Sequence, residues 1–447
     1  MLKIIKSGQK TCHRLTRRTV QKRTFLSEAY RCEEAWKTRF ETPLLQKCKP
    51  EDLFLTLNHK FMTAGKVSAV DVDIFANTIQ TKDHLDELLL VLQNLRKSAE
   101  TTNTLDSTHH AVIRYLLEND YTTELTNTLH DRLTYGIFPD HLSYNILMDT
   151  YIKQNDYASA AKVGVLPMLQ EDVENPITNA LSLYACHKYL EDPDTWQKPP
   201  EPIDDSKEEI RIRVAFLRNP FFDDHFDLTD PQDLVGKTLA FQGNALGGAL
   251  GRSCQLRGLI LYKKYKDALE LVQQWLNGLE ENIVYEEVLN LIEKHNENVT
   301  GEEATSEFKD LMSQMDMLKQ KSLCKESLTE ALENNVKCAV EKQHDIDVNE
   351  QIQKYAEWGK QRERVLNKQI QEINRQNKLE EINKLKKYLE EKEKLLTFFD
   401  NEEEIELEIE KKEAQEKAEM ERILKMPRAL TKLKRLEQQE EYVPPRI

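Results

Sequence analysis

The chain has no run of about 18–20 apolar residues, the length a membrane-crossing helix needs. Glycine and proline are scarce, at 13 and 14 in 447 residues, which with 32% charged residues favours helix over sheet. Seven cysteines, at Cys12, Cys32, Cys48, Cys186, Cys254, Cys324 and Cys338, are odd in number and form no C-x-x-C. No zinc spacing or disulfide framework is visible in them, and scattered thiols fit a matrix or cytosolic protein. No phosphate-binding loop is complete: Gly236-Lys237-Thr238 has Pro231 where the motif needs its first glycine. The acidic stretch Asp223–Asp227 has no second cluster to complete a metal site, and the histidines pair with no nucleophile by spacing. The sequence therefore gives no support for an enzyme, a cofactor or a metal.

Acidic residues are missing from one place in particular. Residues 1–27 carry eight Lys/Arg and no acid, although the whole chain has a net charge of −15. Residues 28–300 carry 27 basic against 44 acidic residues, and residues 301–447 carry 28 against 34. A basic, hydroxyl-containing, acid-free start with the makings of an amphipathic helix is the pattern of a mitochondrial transit peptide. Arg23-Thr24-Phe25 supplies an arginine-then-aromatic cleavage signal, so the expected mature form begins close to Leu26. A solvated basic arm is the plainer alternative.

What the chain does have is a repeat. Tyr115–Tyr121 (YLLENDY) and Tyr151–Tyr157 (YIKQNDY) share Tyr, Asn, Asp and Tyr at an offset of 36 residues. A fixed offset of this size marks stacked helical hairpins, none of which buries its own apolar face alone. A helix is expected to start near Leu85, near Tyr121, near Tyr157 and again near Tyr265. Glu124 replaces a small or apolar residue in the second of these, so that copy is expected to pack differently. Asp140 and Asn175 stand where helix entrances need caps, and Pro139 stops the preceding helix. The expected fold is all-α: an α-solenoid over residues 28–296, interrupted by a Pro/Asp-rich insertion at 191–235. GNALGGALG at 243–251 puts small residues on one face, which suits close helix contact.

Residues 297–345 read as a polar linker. Residues 346–447 read as a long charged helix with coiled-coil segments. Leu366, Ile370 and Ile373 recur at steps of four and three, and Ile382, Leu385 and Leu389 resume after a break. Pro427 is expected to end it.

The segment at 135–163, YGIFPDHLSYNILMDTYIKQNDYASAAKV, resembles a pentatricopeptide repeat. Tyr144, Leu147, Met148 and Tyr151 fall on one face at i, i+3, i+4 and i+7, and Asn145 turns off that face toward the inner groove. With the basic leader and the charged tail, the layout is similar to that of the pentatricopeptide-repeat proteins of the mitochondrial small ribosomal subunit. The resemblance implies a structural ribosomal protein in the mitochondrial matrix, without catalysis. Its implied partners are small-subunit rRNA and neighbouring small-subunit ribosomal proteins. Two other classes stay open: a free mitochondrial factor that stabilises transcripts or activates their translation, and a helical-repeat scaffold with no RNA role.

An amide at Asn145 can offer a donor and an acceptor to a base edge, or it can serve within its own hairpin. The matching positions are His109 or His110 upstream and Ala180 downstream, and alanine reads no base. The acidic body also argues against RNA coating the whole groove. Candidate phosphate contacts are therefore local: Arg211, Arg213 and Arg218; Arg252 and Arg257; Lys263, Lys264 and Lys266; and Lys425, Arg428, Lys432, Lys434 and Arg435 in the tail. Each set reads equally as a solvated charged face.

Overall fold

The computed structural model describes residues 25–193, 196, 225, 227–279, 282–298, 306–397, 402–426 and 431. The basic stretch 1–24 and most of the 191–235 insertion, including Arg211, Arg213 and Arg218, lie outside them. So do Arg428, Lys432, Lys434 and Arg435.

Among the described residues the regular elements are all helices, with a single isolated parallel bridge between Tyr285 and Cys324. Two short helices, α1 (Glu33–Lys37) and α2 (Pro43–Lys47), precede α3 (Pro50–Ala64). The hairpins follow as α4 (Ala69–Thr78) with α5 (Leu85–Lys97), then α6 (Asp106–Glu118) with α7 (Thr122–His130), then α8 (His141–Gln154) with α9 (Tyr157–Leu169). Next come α10 (Pro176–Tyr189) with α11 (Pro231–Leu246), then α12 (Gly248–Leu261) with α13 (Tyr265–Gly278). Helices α4, α6, α8 and α10 pack in series as an inner layer, and α7, α9 and α11 pack in series behind them. The expected helix starts fall at or within one residue of the observed ones.

The repeated phrase is the turn inside each hairpin. Asn155 closes α8 in the left-handed conformation at φ +60°, and the Asp156 carboxylate opens α9 by accepting from the Ser159 amide at 3.0 Å. The upstream copy uses Asp120, at φ +61°, and the downstream copy uses Lys263, also at φ +61°. Asp140 and Asn175 cap α8 and α10, accepting from Ser143 and from Ile177 and Thr178. Glu124 leaves Leu125 to do the burying in a shortened α7. Tyr144, Leu147, Met148 and Tyr151 are all essentially without exposure, which places the apolar face of α8 between its neighbours.

The α11–α12 crossing explains the small residues. A Cβ added to Gly258 would lie 2.4 Å from both the Gly236 carbonyl oxygen and the Ala240 nitrogen, and one on Gly251 would lie 2.4 Å from the Gly243 carbonyl. Four glycines let two backbones touch. Thr238, beside Gly236, is buried and donates its hydroxyl to the Leu234 carbonyl, so this stretch is helix interior.

Helices α14 (Glu286–Asn298) and α15 (Ser306–Lys319) follow, with α15 packed on α13 through Tyr265 and Phe308, whose ring centroids are 4.9 Å apart. Helix α16 runs from Leu328 to Leu396 and α17 from Glu402 to Lys425. The expected linker at 297–345 thus holds α15 and the start of α16. By contacts the chain divides into two compact units, Met1–Arg364 and Val365–Ile447. The physical reason lies in burial: Arg362 is the last buried side chain among the described residues of α16, and α17 has none. In the second unit Ile370, Ile373, Ile382, Leu385 and Leu389 form an apolar stripe about half exposed. Surface ion pairs such as Arg375–Glu372 and Lys417–Glu413 accompany it. No described helix is long and apolar enough to cross a membrane.

Candidate functional site

The inner layer of a hairpin stack forms a groove, and each inner helix offers polar side chains to it. In this protein the groove of the first unit is occupied by the chain itself. The segment from Phe25 to Phe40 lies in it, and so does α16 from Thr329 to Arg362. That length of helix spans about 50 Å at 1.5 Å per residue, and it meets the inner helices in reverse order.

At α10, His187 Nε2 lies 3.0 Å from the Thr329 hydroxyl, and Nδ1 lies 2.7 Å from Arg257 Nη1. A guanidinium only donates, so Nδ1 accepts and Nε2 carries the hydrogen. Burial, the Arg257 charge and Lys188 lower the His187 pKa to about 3. Burial also lowers Arg257 to about 10.

At α8, Asn145 has no exposed surface. Its carbonyl oxygen accepts from Thr178 at 2.8 Å, and its amide nitrogen donates to the Tyr30 hydroxyl at 2.8 Å. Tyr30 donates in turn to Asp347 Oδ2 at 2.6 Å, and Asp347 also accepts from Asn175 and Gln343. Burial first, then the Asp347 charge, pushes the Tyr30 hydroxyl far above its ordinary range, so it stays a donor.

At α6, His110 faces Trp36, Tyr355 and Trp358, with ring centroids 4.9–5.4 Å away. Its Nε2 receives Arg114 Nε at 3.3 Å and lies 3.0 Å from the Tyr355 hydroxyl, which leaves Nδ1–H for Asp140 at 3.2 Å. Burial lowers its pKa, so the ring is neutral. Arg114 also donates to the Arg31 carbonyl. The Arg39 guanidinium sits 3.8 Å over the Trp36 ring, a cation–π contact, and burial lowers its pKa to about 10. At α4, Asp73 has no exposure and accepts from Ser107, Thr108, Asn77 and Arg362.

The remaining sequence candidates are scattered. Arg252 donates to the carbonyls of Ile283 and Asn282 at 2.8 and 3.0 Å. Lys263 and Lys266 are exposed at the α12–α13 turn. Lys264 lies 5.3 Å from the centroid of the Tyr262 ring, and Lys237 lies 5.4 Å from it. Lys425 pairs with Glu421 at 3.3 Å on α17. Ala180 is buried in α10. His141, Asp172 and Glu174 bring donor atoms within 4.8 Å of one another, a set that could hold a metal ion.

Sequence reasoning missed the occupants of the groove: Tyr30, Trp36, Asp347, Tyr355, Trp358 and Arg362. One signal was present. Trp358 is the last tryptophan of the chain and stands with Tyr355 in a tail otherwise dominated by Glu, Lys and Gln.

Fold and groove together define an α-solenoid of helical hairpins braced internally by its own chain. The sequence matches the family model of mitochondrial 28S ribosomal protein S27 over residues 2–388, and the chain belongs to that family. It is accordingly a protein of the small subunit of the mitochondrial ribosome, located in the matrix. The match ends within α16.

Proposed function

We propose that this chain is a structural, non-catalytic component of the small subunit that contacts rRNA through phosphates and not through base reading. The observation that carries this reading is Asn145: both ends of its amide are bonded to Tyr30 and Thr178 in a fully buried position. A base would have to displace both partners and the helix above them. The basic turn formed by Lys263, Lys264 and Lys266, with Lys237 across the Tyr262 ring, offers ammonium groups beside an aromatic face, a combination suited to RNA backbone. The second unit, with its half-exposed apolar stripe, is the part suited to neighbouring ribosomal proteins. A free transcript-binding factor needs an open groove, which favours the ribosomal reading.

The test is binding of the full chain to small-subunit rRNA fragments across a salt series. Replacing Lys263, Lys264 and Lys266 with alanine is expected to weaken all fragments alike. It should flatten the salt slope by roughly 0.7–0.9 per lost phosphate contact. Asn145→Ala is expected to lower stability by about 1–3 kcal/mol, because Tyr30 and Thr178 lose a partner, with no change in sequence preference. Selective loss of one RNA sequence in Asn145→Ala, with the lysine variant unaffected, would overturn the proposal.

A further inference from the structure

Phe25 and Leu26 aim their backbone N–H groups at the same atom, Asp149 Oδ1, at 3.2 and 3.3 Å. Asp149 is a groove residue of α8 whose side chain is 3% exposed. Leu26 is buried, and Phe25 packs edge-on against Tyr184 at 5.2 Å. A buried carboxylate oxygen thus faces two consecutive main-chain nitrogens, which as mid-chain amides bring no charge to it, while its other oxygen is paired with Lys153. The two nitrogens stand directly after Arg23-Thr24, at the end of an acid-free stretch bearing eight positive charges.

We propose that the Asp149 carboxylate is the receptor for a new N-terminus, the α-ammonium created when the basic leader is cut off at the Phe25–Leu26 bond or one bond earlier. The step is a hydrolysis carried out by a processing peptidase. Water adds across the amide, the leader departs with a carboxylate, and the remaining chain keeps the nitrogen, which takes up a proton. Nothing is oxidised or reduced. Either bond serves, because the nitrogens of both residues reach the same oxygen. The ammonium turns a neutral hydrogen bond into a charge-assisted one, roughly twice as strong.

The charged groups around the spot are few. Lys153 Nζ lies 2.7 Å from Asp149 Oδ2 and 4.0 Å from Glu28, and Glu28 lies 3.9 Å from Arg31. From α16, His344 Nε2 lies 2.8 Å from the Ser27 hydroxyl. Two carboxylates thus face two basic side chains, with Asp149 Oδ1 turned to the main chain. Residues 27–31 continue directly into the groove, where Tyr30 bonds Asp347 and the Arg31 carbonyl takes Arg114. Anchoring the end at Asp149 therefore holds the strap on which α16 is laid, and removal of the leader becomes an event the fold can sense.

The inference rests on reading the basic start, up to Thr24 or Phe25, as a removable leader, and the experiment separates the two. The chain from Leu26 to Ile447 is prepared with a free α-amine, the same chain with that amine acetylated, and both again as Asp149→Asn. Below the ordinary α-amino pKa of about 8 the free amine is expected to raise the melting temperature by about 1–3 °C over the acetylated form. Because a partner raises the folded pKa of the amine, this gain is complete below the unfolded value and is lost as pH rises through the folded one. The gain is expected to vanish in Asp149→Asn. Acylation of the α-amine in the folded chain should be about tenfold slower than in Asp149→Asn, since one unit of pKa is a factor of ten in free amine. Equal melting and equal acylation would overturn the capture. Sequencing the N-terminus of the matrix form is expected to give Phe25 or Leu26, and any other start would overturn the processing step whatever the melting data show.

Discussion

Arg362 donates from Nε to Asp73 Oδ2 across 289 residues of sequence, and both side chains are buried. The pair fixes the far end of the docked part of α16 to the first inner helix of the stack. Asp73 carries three further donors, from Ser107, Thr108 and Asn77, so its charge is well compensated where water is absent.

Removing one member of that pair leaves the other buried and unmatched. Arg362→Ala is therefore expected to cost about 3–5 kcal/mol of unfolding free energy in urea. The double variant Asp73→Asn/Arg362→Met is expected to recover part of it, because no lone charge is left. A single variant within 0.5 kcal/mol of the parent would show that α16 is not held at this point.

The α11–α12 contact predicts a steric penalty of another kind. Gly258→Ala places a methyl group against backbone, not against a movable side chain. Overpacking of this sort costs about 1–3 kcal/mol or forces the two helices apart. Gly278→Ala is the control, because nothing lies within 4 Å of its added Cβ. Thermal melts of the two variants should separate, with Gly258→Ala alone lowered.

Acid should loosen the protein before its carboxylates titrate. Burial holds His187 down to about 3 and His130 to about 4, and lowers His109 and His110 as well. Unfolded histidines titrate near 6.5, so between that value and the folded ones the unfolded chain binds protons the folded chain refuses. Stability is therefore complete above about pH 6.5 and falls as pH drops, by up to about 1.4 kcal/mol per unit for each such histidine. Urea titrations from pH 7 to pH 5 should show this slope, and His187→Gln should reduce it. An unchanged slope would mean His187 is not kept neutral by the groove.

Local patterns in the sequence carried the hairpins. The 36-residue offset, the caps at Asp140 and Asn175, the apolar face from Tyr144 to Tyr151 and the small residues at the α11–α12 crossing are all short-range features, and each has its counterpart in the fold. Asn145 was legible as a groove residue, because turning off the apolar face leaves only the inner side. What fills the groove was not. Tyr30 meets Asp347 across 317 residues and His110 meets Tyr355 across 245, and neither pairing leaves a periodic trace. The charged composition of residues 346–447 reads alike on both sides of Arg362, although Asp347, Gln351 and Trp358 before it are buried and none of the described side chains after it is.

A stack of helical hairpins is ordinarily a one-dimensional object. Each repeat feels only its neighbours, and the ends can fray while the middle holds. Here α16 touches α10, α6 and α4 in turn and is linked to α8 through Tyr30 of the strap, which itself touches α8 and α6. Loss of any one hairpin releases a support shared by the others. The first unit should accordingly melt as one cooperative body, with its terminal hairpins as slow to exchange amide hydrogens as its central ones. A solenoid stitched along its groove gives up the elasticity of an open spring and gains the stiffness of a closed beam.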